Sequence, residues 1–203
     1  IPGVAAVEVA GPGFVNFRLE DRLVWSELAC VAPADLSWGR SEADAPGRVN
    51  VEFVSANPTG PLHVAHGRGA AIGDVVASLL EWTGHEVERE FYVNDAGRQI
   101  ELLGQSIDAR LRQARGEPVD VPEWGYQGAY FSDLAARLEA EQEPDAMFAV
   151  GVAERIQDLS RRASEVDGVD QASVLAEFGL RYNGWFAESL LFGGVEVEAG
   201  GAF

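Results

Sequence analysis

Apolar and polar positions change period several times along this chain, and each change marks an element. Residues 4–19, VAAVEVAGPGFVNFRL, read as two β-like stretches around Gly11-Pro12-Gly13, a turn signal. Two strands alone are marginally stable, so this piece is an appendage or the tail of something larger. Residues 21–36 place Leu23, Leu28 and Val31 on one side of a helix, and Ser37–Arg48 is a polar connector containing Gly and Pro. VNVEFV (Val49–Val54) is a short β-branched run, predicted as a strand. Beyond the Asn57-Pro58-Thr59-Gly60-Pro61 turn, Ile72, Val75, Val76, Leu79 and Leu80 recur at helical spacing and predict one core-facing stripe. Gly84 is placed to end that helix in the left-handed conformation. EVEREFYV (Glu86–Val93) alternates and supplies a second strand. Strand, turn, helix, strand is a βαβ unit, so the expected class is α/β, with a parallel sheet and a right-handed crossover.

From Gln99 to about Gly179 the period is mainly helical. Ile100, Leu103, Ile107 and Leu111 make one face, Phe131, Leu134 and Leu138 another, with Pro118, Pro122 and Gly125 in a loop between them. RYNGWF (Arg181–Phe186) returns to a strand, and FGGVEVEAGGAF (192–203) adds no closing element.

The chain has 203 residues, enough for one sizeable core with or without a small appendage. No apolar run approaches the roughly 18 residues needed to cross a bilayer, and no charged segment precedes an apolar one at the start. That pattern reads as a soluble, unexported, cytoplasmic protein. Cys30, the single cysteine, excludes an internal disulfide and any multi-cysteine metal site, and reads as a small buried apolar residue. The net charge is −18 and all 15 basic residues are arginine. Such a chain repels phosphate backbones at long range, which argues against non-specific nucleic-acid binding. With no lysine, neither a lysine phosphate clamp nor a Schiff base is available on it.

Two of the three histidines lie in NPTGPLHVAH (Asn57–His66), where a strand end gives way to a helix. Ligands of open parallel sheets bind at such carboxyl ends, and the helix start offers unpaired N–H groups and a partial positive charge. His63 and His66, three residues apart, can both reach one anion there. Gly60 and the Gly67-Arg68-Gly69 run keep the backbone approachable. This layout suits a polyphosphate attacked by a carboxylate, a nucleophile already ionised at neutral pH. Two other readings stand beside it: a partial metal site, or ordinary residues at a helix start. Glu52 adds a further signal, because a carboxylate inside a central parallel strand is costly unless paired. It either receives a cationic ligand head, forms a structural pair, or marks an exposed edge. Tyr92, Asn94, Asp95 and Gln99, after the second strand, either line the site or serve as turn and cap residues.

VNVEFVSANPTGPLHVAHGRGAAIGD (Val49–Asp74) resembles the first signature region of class I arginyl-tRNA synthetases of the bacterial type. FYVNDAGRQI (Phe91–Ile100) and, more loosely, LRYNGWFAES (Leu180–Ser189) resemble later blocks, and GPGFVNFRL (Gly11–Leu19) the end of their N-terminal appended domain. The resemblance implies ATP-dependent activation of arginine followed by transfer to tRNA(Arg), with Mg2+ accompanying ATP and no prosthetic group. It makes His63 and His66 the catalytic signature pair and assigns ATP binding to Pro58, Thr59, Gly60, His63, Ala65, His66 and Gly67. Glu52, Ser55 and Asn57 become arginine contacts, and Phe14 and Asn16 contacts to tRNA. No resident metal is implied, and the protein would be a monomer. Ala65 stands where the family signature has glycine, whose bare backbone lets adenine pack flat. The family's second, lysine-rich signature cannot lie on a chain without lysine, nor does a compensating lysine precede the histidines.

The expected architecture is therefore a Rossmann-like parallel sheet with a mostly helical insertion and an N-terminal β appendage. Its divisions are 1–20, the end of the appended domain; 21–48, helix and linker; 49–103, the first half of the catalytic domain; 104–179, the insertion; and 180–203, the return. The chain reads as an amino-terminal, ATP- and arginine-binding piece of a synthetase, inactive alone. The rivals are another HxxH nucleotidyltransferase and a synthetase-like binding module without catalysis.

Overall fold

The computed structural model describes residues 1–34, 37–41, 45–141 and 146–193. The sequence readings at residues 35–36, within the connector at 42–44, and over 194–203 lie outside the described residues.

Strands β1 (Val4–Ala10) and β2 (Phe14–Leu19) form a two-stranded antiparallel sheet with Val9 opposite Val15. Gly11 and Gly13 supply the positive φ angles, 57° and 93°, that reverse the chain. Helix α1 (Asp21–Ala34) follows, and Cys30 on it is exposed, contrary to the burial expected from its type. Leu28 is exposed as well, so α1 buries less than its pattern promised.

The second sheet holds three parallel strands in the order β3 (Arg48–Glu52), β4 (Glu86–Val93), β5 (Gly184–Ala187). Val49 pairs with Val87, and Phe91 with Trp185. The fold is α/β, a Rossmann-like sheet with a mostly helical insertion between its second and third strands. Helix α2 (Val64–Trp82) crosses from β3 to β4. Its core-facing stripe differs from the expectation: Ile72, Val75, Val76 and Leu79 are exposed, and the buried residues are Ala70, Gly73 and Ala77. The small stripe wins because the helix lies directly on Phe53, close enough that a methyl group at Gly73 would collide with that ring. Arg89 on β4 locks the helix down, donating to Glu81 (2.5 Å) and Ser78 (3.2 Å) and lying 3.4 Å from Asp74.

Helices α3 (Arg98–Ala114), α4 (Tyr130–Ala140) and α5 (Val152–Glu177) form the insertion, with a short 3-10 helix at Ala146–Phe148. Leu103, Ile107, Leu111, Leu134, Leu138, Leu159 and Ala163 share its core. A buried ion pair joins Arg155 on α5 to Asp108 on α3 at 2.6 Å. Helix α5 then runs on past the insertion, so that Leu175 packs in the other core with Phe53, Ala70, Phe91 and Val93. A short helix α6 (Leu190–Gly193) follows β5.

Candidate functional site

The site grows from the end of β3. Phe53 still donates its N–H to Glu90 O (3.2 Å), but Val54 and Ser55 turn into the left-handed region, with φ of 69° and 42°. A β-branched residue there is strained by about 1–3 kcal/mol, and such strain concentrates at ligand sites. The turn carries the chain off the sheet and lets Ser55 Oγ accept the Tyr92 N–H at 3.1 Å. Asn57 Nδ2 donates to Gln99 Oε1 at 2.5 Å, tying the turn to the start of α3. Thr59 N–H closes on Asn57 O at 2.8 Å, Pro58 is buried, and Gly60 takes a φ of 140° that a side chain would resist.

His63 caps α2 and His66 lies one turn in. Their rings stack with centroids 3.8 Å apart. The His63 N–H donates to His66 Nδ1 at 3.2 Å. A ring that accepts at Nδ1 carries its proton on Nε2, so neutral His66 presents an N–H donor away from the backbone. Its pKa is lowered, first by desolvation and then by the neighbouring His63, which favours that neutral form at pH 7. Ala65 and His63 are exposed, and at Gly67 and Gly69 an added methyl group would meet nothing within 4 Å. The helix mouth is therefore open to solvent, although the His63 and His66 backbone N–H groups are already engaged by the reciprocal capping of the two histidines.

Carboxylates gather at the ends of the three strands: Glu52 on β3, Asp95 after β4 and Glu188 after β5. The Tyr92 hydroxyl is held above its ordinary pKa by desolvation first, then by Glu188, Asp95 and Glu52. Glu52 is exposed, and β3 is an edge strand of the described sheet, not the central strand its sequence context suggested. Asp95 accepts the Ser189 N–H (2.8 Å) and hydroxyl (2.6 Å), clamping the loop after β5. With its amide oriented to suit its neighbours, Asn94 donates to Glu188 Oε2 at 2.6 Å. The sequence reading missed Glu188 and Ser189; their signal was their place just past a third parallel strand. Phe14 and Asn16 lie on β2 in the other sheet, outside this constellation.

The back of the turn rests on α5. Gln171, 3% exposed, donates from Nε2 to Asn57 O (3.0 Å) and Gly60 O (2.9 Å). One helical turn earlier Asp167, 1% exposed, accepts the Tyr130 hydroxyl through Oδ1, while its Oδ2 is buried with no hydrogen bond among the described residues. Burial raises the Asp167 carboxyl from 3.8 to about 6, offset in part by Tyr130 and the Gly60 backbone N–H. A raised carboxyl pKa means that the ionised form subtracts stability above about pH 6, and that this cost fades as pH falls toward 3.8. The Tyr130 hydroxyl stabilises the ionised form. Tyr130→Phe is therefore expected to destabilise by about 1–3 kcal/mol at pH 8 and by clearly less at pH 5. Urea denaturation of both proteins at the two pH values checks this; an equal or reversed difference would refute the assignment.

A cavity of about 1050 Å³ lies between α3, α5 and the ends of β4 and β5, lined by Phe91, Ile100, Ile156 and Trp185 among others. It shares Asp95, Ser189 and Gln171 with the constellation but none of Glu52, His63 or His66. The histidine turn, where donors and strained backbone converge, is the better site on chemical grounds.

A domain of this strand order, with its polar groups at the carboxyl ends and a helical insertion before its third strand, is of the Rossmann-like class. Residues 36–143 match the family model of class I tRNA synthetases for arginine, catalytic domain. An arginine–tRNA ligase of Synechococcus sp. is 54% identical over 68% of this chain and 23% of its own length. One from Citrifermentans bemidjiense is 42% identical over 97% of this chain and 35% of its own. A Campylobacter jejuni chain solved as an arginyl-tRNA synthetase superposes with a TM-score of 0.68 at 32% identity, over 83% of this chain and 36% of that one. This chain belongs to the class I arginyl-tRNA synthetase family. It spans about a quarter to a third of the length of the curated relatives it matches.

Proposed function

We propose that this chain carries the ATP- and arginine-binding half of an arginine–tRNA ligase, which activates arginine to arginyl-adenylate and passes it to tRNA(Arg). The observation that supports the reading most is that hydrogen-bond donors and carboxylates both gather at the carboxyl ends of the strands. The two histidines at the start of α2 offer donors, and Glu52, Asp95 and Glu188 offer carboxylates around Tyr92. The first suits phosphates and the second a guanidinium.

In this reading the turn from Pro58 to Gly67 binds ATP. The substrate carboxylate attacks the α-phosphorus, the bond to the bridging oxygen breaks, and pyrophosphate leaves. His66 Nε2–H and His63 donate to oxygens that gain charge in that step. Glu52 meets the guanidinium in a charge-assisted hydrogen bond, and the Ser55 hydroxyl still has its proton to donate. Tyr92 and Gln99 close the adjoining wall. Ala65 places a methyl group where the adenine would lie. Among the described residues no three His, Cys, Asp or Glu side chains are grouped to hold a metal. In this reading Mg2+ comes as the counter-ion of the nucleotide. The remaining proposals are a tRNA contact at Phe14 and Asn16, the domain divisions at residues 20, 48, 103 and 179, a monomeric state and a cytoplasmic location. No described helix is long and apolar enough to cross a membrane.

Arginine-dependent ATP–pyrophosphate exchange with tRNA(Arg) present, measured on the protein expressed from its own gene, tests the reading. Glu52→Gln is expected to raise the KM for arginine by roughly 10- to 100-fold, the loss of one charged hydrogen bond, with little change for ATP. An unchanged arginine KM would remove Glu52 from the site and favour another nucleotidyltransferase. The absence of lysine from this chain favours a second reading, a synthetase-like binding module without catalysis. Measurable exchange would eliminate it.

A further inference from the structure

The groups behind the turn have no role in the chemistry above, yet they are the most deeply buried polar side chains near it. Gln171 uses the two N–H bonds of one amide nitrogen on two carbonyls of the turn, Asn57 O at 3.0 Å and Gly60 O at 2.9 Å. Those carbonyls bracket Pro58-Thr59, so their spacing fixes how the turn is wound. Asp167, one turn earlier on the same face of α5, faces the Gly60 N–H and is itself fixed by the Tyr130 hydroxyl of α4. Asp170 and Arg137, paired at 3.0 Å, are the other charges facing it. Neither Gln171 nor Asp167 reaches the open helix mouth. The cost of burying the Gln171 amide is offset by its two bonds to the turn's backbone, and that of Asp167 in part by the Tyr130 hydroxyl.

We propose that Gln171 and Asp167, braced by Tyr130, are positioning residues that set the geometry of the 57–60 turn and hence the aim of His63 and His66. The proposal rests on the reading of that turn as the ATP site. The insertion thus takes part in nucleotide use through backbone contacts, without touching the nucleotide.

Gln171→Met keeps the side chain's length and apolar stem but loses both donors. Leu138→Val loosens the same insertion's core away from the turn and serves as the control for mere destabilisation. Two readouts are taken on the protein from its own gene: amide hydrogen exchange at Thr59 and Gly60, and ATP–pyrophosphate exchange. Gln171→Met is expected to speed amide exchange in the turn and lower kcat/KM for ATP, each by ~10-fold or more. Leu138→Val should move neither by more than about twofold, the shift expected of a change remote from the turn. The proposal is overturned if Gln171→Met leaves both within twofold, or if the two variants lose ATP use alike. No arginine-dependent exchange by the unaltered protein would instead overturn the reading of the site itself, whatever the turn amides do.

Discussion

Replacing His66 with alanine is expected to slow arginyl-adenylate formation by about 100- to 1,000-fold while leaving the KM for arginine within a few-fold. The reason lies in which atom is free. His66 Nδ1 is occupied by the His63 N–H, so the neutral ring has one outward donor, Nε2–H, at the mouth of α2. A donor whose hydrogen bond strengthens as charge develops on phosphorus acts on the transition state more than on bound ATP, so the loss falls mainly on kcat. His66→Asn, which restores a shorter donor, should recover part of the rate. Single-turnover adenylate formation reads this directly. If His66→Ala only raised the KM for ATP, the ring would be a ground-state phosphate contact and the proposed role in the step would be wrong.

Gly104→Ala carries the largest expected effect on stability, a loss of about 3 kcal/mol or more. Helix propensity alone favours alanine at an interior helical position by about 1 kcal/mol. Packing reverses the sign. A methyl group at Gly104 would come within 2.5 Å of the Ile156 carbonyl oxygen and 2.9 Å of the Ser160 nitrogen, both backbone atoms of α5. Backbone cannot rotate aside as a side chain can, so α3 and α5 must separate along a line that also holds Leu103, Ile107 and Leu159. At this chain length the melting temperature should fall by roughly 6–12 °C. A variant as stable as the parent would mean that the two helices cross with room to spare.

Much of this was legible in the residues. The alternation in EVEREFYV and the Gly11-Pro12-Gly13 turn lead straight to β4 and to the first hairpin. Periodicity misled at α2, because a hydrophobic stripe shows that a helix has an apolar face, not which partner covers it. The small residues Ala70, Gly73 and Ala77, silent on a hydrophobicity scale, mark the contact with Phe53. The histidine turn stood out by its residue types and spacing. Its supports did not: the left-handed pair Val54-Ser55 is unpromising by residue type, and Gln171 lies more than a hundred positions away in sequence. Contacts of that separation leave no local pattern. Glu188 was hidden for a related reason, since only the parallel register of β5 brings it beside Asn94 and Tyr92.

Helix α5 has its Leu159 in one core and its Leu175 in the other, about 24 Å apart along a single rod. A helical insertion that hung from the sheet by two loops could be exchanged, trimmed or lost in evolution with little consequence for its host. This one cannot be cut away cleanly: removing it takes out a wall of the sheet domain and the floor beneath the histidine turn. Grafts at this position should succeed only when the donor segment brings its own long terminal helix, and lineages that vary the insertion should vary α4 and the loops before they shorten α5.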